Sequence, residues 1–111
     1  MIETILTAAG VKHRRGRYPK PPGGTYAVYT DDITTDGPDG VPCILRHDVT
    51  VELYEPKPDD AAENAIENAM TAAGLFWTKQ DRLWLQSEQF YQIVYEFSYI
   101  EKGGYEHGKA R

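Results

Sequence analysis

Hydrophobic and polar positions alternate along the middle of the chain. In VPCILRHDVTVELYE, Val41, Cys43, Leu45, His47, Val49, Val51 and Leu53 fall on one side, with Ile44, Arg46, Asp48, Thr50, Glu52 and Tyr54 on the other. A period of two from Val41 to Glu55 predicts a long, half-buried β-strand at the centre of the fold. A second run, FYQIVYEFSYIE, sets Tyr91, Ile93, Tyr95, Phe97 and Tyr99 against Phe90, Gln92, Val94, Glu96, Ser98 and Ile100, with apolar residues on both sides. YAVYT, Tyr26 to Thr30, is aromatic and β-branched enough to be a further strand. LFWTKQDRLWLQ reads as a hairpin, Leu75 to Trp77 and Leu83 to Leu85 flanking a polar turn near Gln80 and Asp81.

The period becomes helical twice. IETILTAAG places Ile2, Ile5, Leu6 and Ala9 on one face, with Gly10 where a left-handed cap belongs. After Pro56 and Pro58 stop the sheet, DDAAENAIENAMTAAG starts a helix with Asp59, Asp60 and Glu63 near its positive end and Ala62, Ile66, Ala69 and Ala73 as its inward stripe. Gly74 is its expected cap. The word TAAG thus closes both helices, at 7–10 and 71–74, and reads as one capping solution used twice.

The connecting segments are polar or rich in Gly and Pro. VKHRRGRYPKPPGG reads as an exposed strand and loop, since Pro19, Pro21 and Pro22 lack the N–H groups a central strand needs. DDITTDGPDG has the content of one or two tight turns, and KGGYEHGKAR that of a flexible tail. The expected class is α+β: a mainly antiparallel twisted sheet of about five strands with two helices packed on one face, in the order α-β-β-β-α-β-β. Residues 1–101 form a single domain in this reading and 102–111 a flexible C-terminal tail.

Length and composition sharpen this. A chain of 111 residues, 41% hydrophobic and 26% charged, suits one core, which buries roughly two-thirds of the surface of the unfolded chain. No apolar run approaches the roughly 20 residues of a membrane span, and no basic-then-apolar signal opens the chain, so a cytosolic protein with no membrane partner is expected. Cys43 has no second cysteine to pair with and reads as a small buried hydrophobe. The net charge of −5 is unevenly spread: residues 1–30 hold five Lys or Arg and one acid, Glu3, leaving seven bases and sixteen acids elsewhere. The molecule has a basic end and an acidic body.

Catalytic and metal signatures are weak. His13, His47 and His107 stand apart, with no H-x-x-x-H or C-x-x-C spacing, so no metal site and no cofactor is expected. His47 and Asp48 adjoin in sequence, but neighbours on a strand point to opposite faces and cannot orient one another, which favours a packing or interface histidine. Asp31, Asp32, Asp36 and Asp39 miss the D-x-[DN]-x-[DN]-G spacing of a calcium loop and read as a solvated turn. Lys12, Arg14, Arg15, Arg17 and Lys20, with His13 among them, form the strongest charge feature. In one subunit they are a solvated edge; in several copies around a channel they are a positive ring able to contact DNA phosphates regardless of sequence, or an interface.

The order of segments carries a resemblance. A short helix ending at Gly10, TYAVY, an Asp/Gly loop, HDVTVELYEPKPD, ENAIENAMTAAGLFW and EQFYQIVYEFSYIEK together resemble the small tail-completion proteins of long-tailed phages and Gram-positive prophages, similar to the tail terminators. The pattern words YxVY, VxVELYxPKPD and YQxVYEF carry it across roughly residues 1–101. The resemblance implies a non-enzymatic structural protein, a ring, expected to be a hexamer, that caps the tail tube and joins it to the head connector and neck proteins with DNA in its lumen. It places the protein in the bacterial cytoplasm during assembly and then in the virion. Arg46, Asp48, Glu52, Tyr91, Tyr95 and Tyr99 are the candidate subunit interface. A head-closure or minor capsid neck protein is the alternative of the same kind; a small ligand-binding or hydrolase domain using His47 and Asp48 is the alternative of another class.

Overall fold

In the computed structural model, which describes residues 1–37 and 43–102, the central strand is the axis of the sheet. β3 (Ile44–Glu55) pairs antiparallel on one side with β2 (Tyr26–Asp36) and on the other with β6 (Phe90–Lys102). Its burial follows the alternation, with His47, Val49, Val51, Leu53 and Glu55 buried and the residues between them half-buried. Val41 and Pro42, the expected start of the strand, lie outside the described residues.

Among the described residues the sheet has six strands in the order β1-β2-β3-β6-β4, where β1 (Lys12–Arg15) is parallel to β2 and β4 (Thr78–Lys79) antiparallel to β6; β5 (Leu83–Leu85) also pairs with β6. The α+β class and the order of elements hold. The expected hairpin does not form, because β4 and β5 each hydrogen-bond to β6, at Tyr95–Glu96 and at Phe90–Gln92, and not to one another. The expected turn DDITTD is also strand: Asp31 to Asp36 continue β2 in register with Val49 to Ile44. The ladder to β3 and the β-branched Ile33, Thr34 and Thr35 outweigh the turn preference of the aspartates.

Both helices cover one face. α1 (Ile2–Ala9) contributes Ile2, Ile5 and Leu6, and α2 (Asp60–Ala72) contributes Ile66 and Met70, to a core completed by Ala27, Tyr29, Val49, Val51, Leu53, Ile93, Tyr95 and Phe97. Each buried aliphatic side chain there stabilises the fold by about 1.5–3 kcal/mol. The inward stripe of α2 runs through Glu63, Ile66 and Met70, with Ala62 and Ala69 beside it; Ala73 is exposed because the helix has already ended. The two TAAG words do cap alike. Gly10 (φ 74°) donates to the Thr7 carbonyl and Val11 to Leu6, while Gly74 (φ 79°) donates to Thr71 and Leu75 to Met70. At the other end of α2, Asp59 Oδ1 accepts from Ala62 N at 3.0 Å, and its second oxygen accepts from Thr25 Oγ1 at 2.7 Å, tying the helix start to the chain entering β2.

Candidate assembly surfaces

β2, β3 and β6 outrun the helices. Residues 32–36, 44–48 and 98–102 form a three-stranded arm, about 17 Å long at the usual rise per residue, and the described structure spans 50 × 29 × 21 Å. No helix packs on either face of this arm among the described residues, which is why Ile33 and Ile100 are half exposed and Cys43, at its tip, is only partly covered instead of buried. Cys43 N donates to the Asp36 carbonyl at 3.0 Å and closes the end of the ladder.

On the helix side of the arm's base sits His47. Its Nδ1 lies 2.9 Å from Asp31 Oδ2, its Nε2 2.9 Å from Glu101 Oε1, and its ring stacks on Tyr99 with centroids 4.3 Å apart and planes within 4°. Burial pulls the pKa of the imidazole down, but the bonds to Asp31 and Glu101 outweigh it and hold the pKa above the usual histidine value. One imidazolium bonded at both nitrogens therefore joins all three strands of the arm. Asp48 faces the other way, bonded to Ser98 and lying 3.3 Å from Arg46 Nη2; the Ser98 hydroxyl, ahead of Arg46, depresses its pKa. His47 and Asp48 thus form no pair, and the two partners His47 does have, 16 and 54 residues away, had no signature in the sequence.

The open face of the sheet divides into two parts. Near β5 it is aromatic: Tyr26 stacks on Tyr54 at 5.1 Å and meets Tyr18 and Phe90 edge-on at 5.3 and 5.8 Å. Tyr54 donates to Glu52 at 2.9 Å, and burial followed by that carboxylate pushes its phenol up to about 12. Toward the arm the face is concave and acidic, carrying Asp32, Asp48, Glu52 and Glu96 against Arg46, with Phe76 standing at the edge.

The basic residues collect at the opposite edge. Lys12 donates to the Gly23 carbonyl, and His13 Nδ1 is 2.8 Å from the Val11 carbonyl. Arg14, Arg15 and Arg17 are exposed, and among the described residues none is within ion-pair distance of an acid. β1 has a neighbour on one side only, so this edge presents unpaired strand backbone together with positive charge.

A second charged cluster lies beneath α2. Arg82 Nη2 reaches Glu63 Oε2 at 2.6 Å, and its Nε is 3.4 Å from Glu55 Oε1; Lys79 bridges Glu63 at 3.0 Å and Glu67 at 2.7 Å, and Tyr95 donates to Glu67 at 2.6 Å. Glu55 is fully buried, and as a carboxylate both its oxygens lack a hydrogen-bond partner. Burial, reinforced by Glu63, pushes its pKa up to about 8; protonated, it can donate to the Glu63 carboxylate, whose own pKa Arg82 and Lys79 help to hold down.

The six candidate interface residues are divided by the pleat. Arg46, Asp48 and Glu52 lie on the open face and Tyr91, Tyr95 and Tyr99 on the helix side. Tyr95 is 0% exposed in the core, and Tyr99 is committed to His47. Lys20, the last of the basic candidates, lies in the exposed loop after β1.

No family model matches the sequence, and no curated protein matches it. Among solved structures, a chain of the virion of a native gene transfer agent particle has the same fold: TM-score 0.59 over 89% of this chain and 84% of that one, at 16% identity.

Proposed function

We propose that this chain is a non-enzymatic structural subunit of a phage-like particle, acting as a tail terminator or tail-completion protein that forms a ring at the head-proximal end of the tail. The observation that carries the reading is the fold shared with a virion chain over nearly the full length of both, in agreement with the segment order across 1–101. The architecture suits it: one sheet edge is basic, the open face is acidic, and a bare arm projects from the core, so that a subunit offers unlike surfaces to its neighbours on two sides. Its partners in this reading are further copies of itself, the tail tube protein and the head connector, with DNA crossing the lumen. A six-membered ring is the size proposed.

Light scattering over a concentration series, with and without the cognate tube protein, tests this, together with electron microscopy of any assembly. The expected result is a discrete oligomer with a central hole. A chain that stays monomeric throughout and never binds tube protein overturns the reading.

A further inference from the structure

The acidic hollow on the open face has the attributes of a docking surface. Asp32, Asp48, Thr78, Glu96 and Ser98 line a concavity of about 630 Å³, and Phe76 stands at its rim. Phe76 is 96% exposed, although Leu75 and Trp77 on either side of it pack against the core. A large aromatic left in water beside a recess is the kind of residue that anchors an interface once covered. The surrounding charge restricts what can cover it: Asp48 already has Arg46, but Asp32 and Glu96 have no cation within ion-pair distance among the described residues, so the hollow favours a positive partner.

The chain itself carries that partner. Arg14, Arg15 and Arg17 project from the β1 edge, which lies at the opposite end of the strand order from β4, next to Phe76. We infer that the hollow seats the β1 edge of a second copy of this chain, with Phe76 as the anchor. The inference rests on the ring reading and names the two surfaces that meet. Because the hollow lies on the open face across β2, β3, β6 and β4 while the arginines lie on the β1 edge, the two surfaces are distinct, and a copy that inserts its β1 edge into a neighbour keeps its own hollow open for the next. The contact is heterologous and propagates until it closes.

Charge reversal on each side tests it with the full-length protein. R14E/R15E places an acidic edge against an acidic hollow, and D32K/E96K a basic edge against a basic hollow, so each variant alone is expected to assemble about ten-fold more weakly than the native chain at low salt. Mixed in equal amounts, the two become complementary at every contact, and assembly is expected to return with the chains alternating. F76A is expected to weaken assembly without moving the melting temperature of the chain at concentrations too low for assembly. Carbodiimide coupling of mixed isotope-labelled native chains supplies a readout that needs no variant: Lys12 is expected to join Asp32, Asp48 or Glu96 of a different chain.

If both reversals assemble like the native protein, or no such cross-link forms in the assembled native chain, the proposed contact is overturned while the ring reading stands. If R14E/R15E leaves the oligomer intact but abolishes salt-sensitive retention of duplex DNA, the edge faces the lumen and the contact is likewise overturned. A native chain that never assembles, alone or with tube protein, overturns both.

Discussion

The imidazole of His47 lies flat on the ring of Tyr99, 4.3 Å away and 4° from parallel, while Asp31 and Glu101 hold its two nitrogens. A stacked, doubly bonded imidazolium fastens the arm where helices no longer support it. Its folded pKa is raised above the unfolded value near 6.5. The resulting stability is fully present below about pH 6.5 and is lost as pH rises through the higher folded value. A two-dimensional NMR titration should show His47 protonating above about pH 6.5, and Asp31→Asn should lower that midpoint. A midpoint unmoved by Asp31→Asn would contradict the pairing.

Glu55 makes a second pH-dependent contribution. With a folded value near 8 against an unfolded one near 4.5, its burial costs stability progressively as pH rises between those values. Glu55→Gln removes the ionisation. The variant should match the native protein near pH 4.5 and exceed it by about 1–3 kcal/mol at pH 9, Arg82 offsetting part of the penalty in the native chain. Urea unfolding at the two pH values checks this, and parallel stability curves would refute it.

Breaking the same cluster from its other side has the opposite sign. Arg82→Ala leaves Glu55 and Glu63 facing one another without their guanidinium. A loss of about 2–4 kcal/mol at pH 7 is expected, where Glu55 is already largely neutral and Glu63 charged, shrinking as pH falls and Glu63 protonates. Thermal melting at pH 7 and pH 5 measures the difference.

Two truncations separate core from surface. Leu53→Ala, at a fully buried position in β3, should cost about 2–5 kcal/mol. Phe76→Ala should change the stability of the isolated chain by less than about 0.5 kcal/mol. Denaturant midpoints for the pair check both.

The helix caps give a sharper local test. Gly10→Ala and Gly74→Ala force an L side chain into φ near +75°, although neither added methyl would meet another atom. Each should cost about 1 kcal/mol through backbone strain alone, measurable by calorimetry.

What was legible in the sequence is what local periodicity decides. Val49, Val51 and Leu53 announce the core face of β3, Tyr91 to Tyr99 that of β6, and the two TAAG words the ends of both helices. Where long-range pairing overrides local preference, the reading fails. Asp31 to Asp36 look like a turn until β3 offers them a ladder, and Glu63 looks like a solvent-facing acid at a helix start until Lys79 and Arg82 fold back over it. The same limit hid the partners of His47, because nothing near position 47 foretells a carboxylate at 101.

The arm also has a mechanical character. β3 and β6 are matched residue for residue from Ile44↔Lys102 to Glu55↔Tyr91, without a break between the bare arm and the helix-covered core. Their hydrogen bonds run across the strands. A force sliding one strand lengthwise past its neighbour therefore loads the whole ladder in shear, whereas a force lifting one strand sideways loads one bond pair at a time. A sheet built this way is stiff along its long axis and weak to peeling.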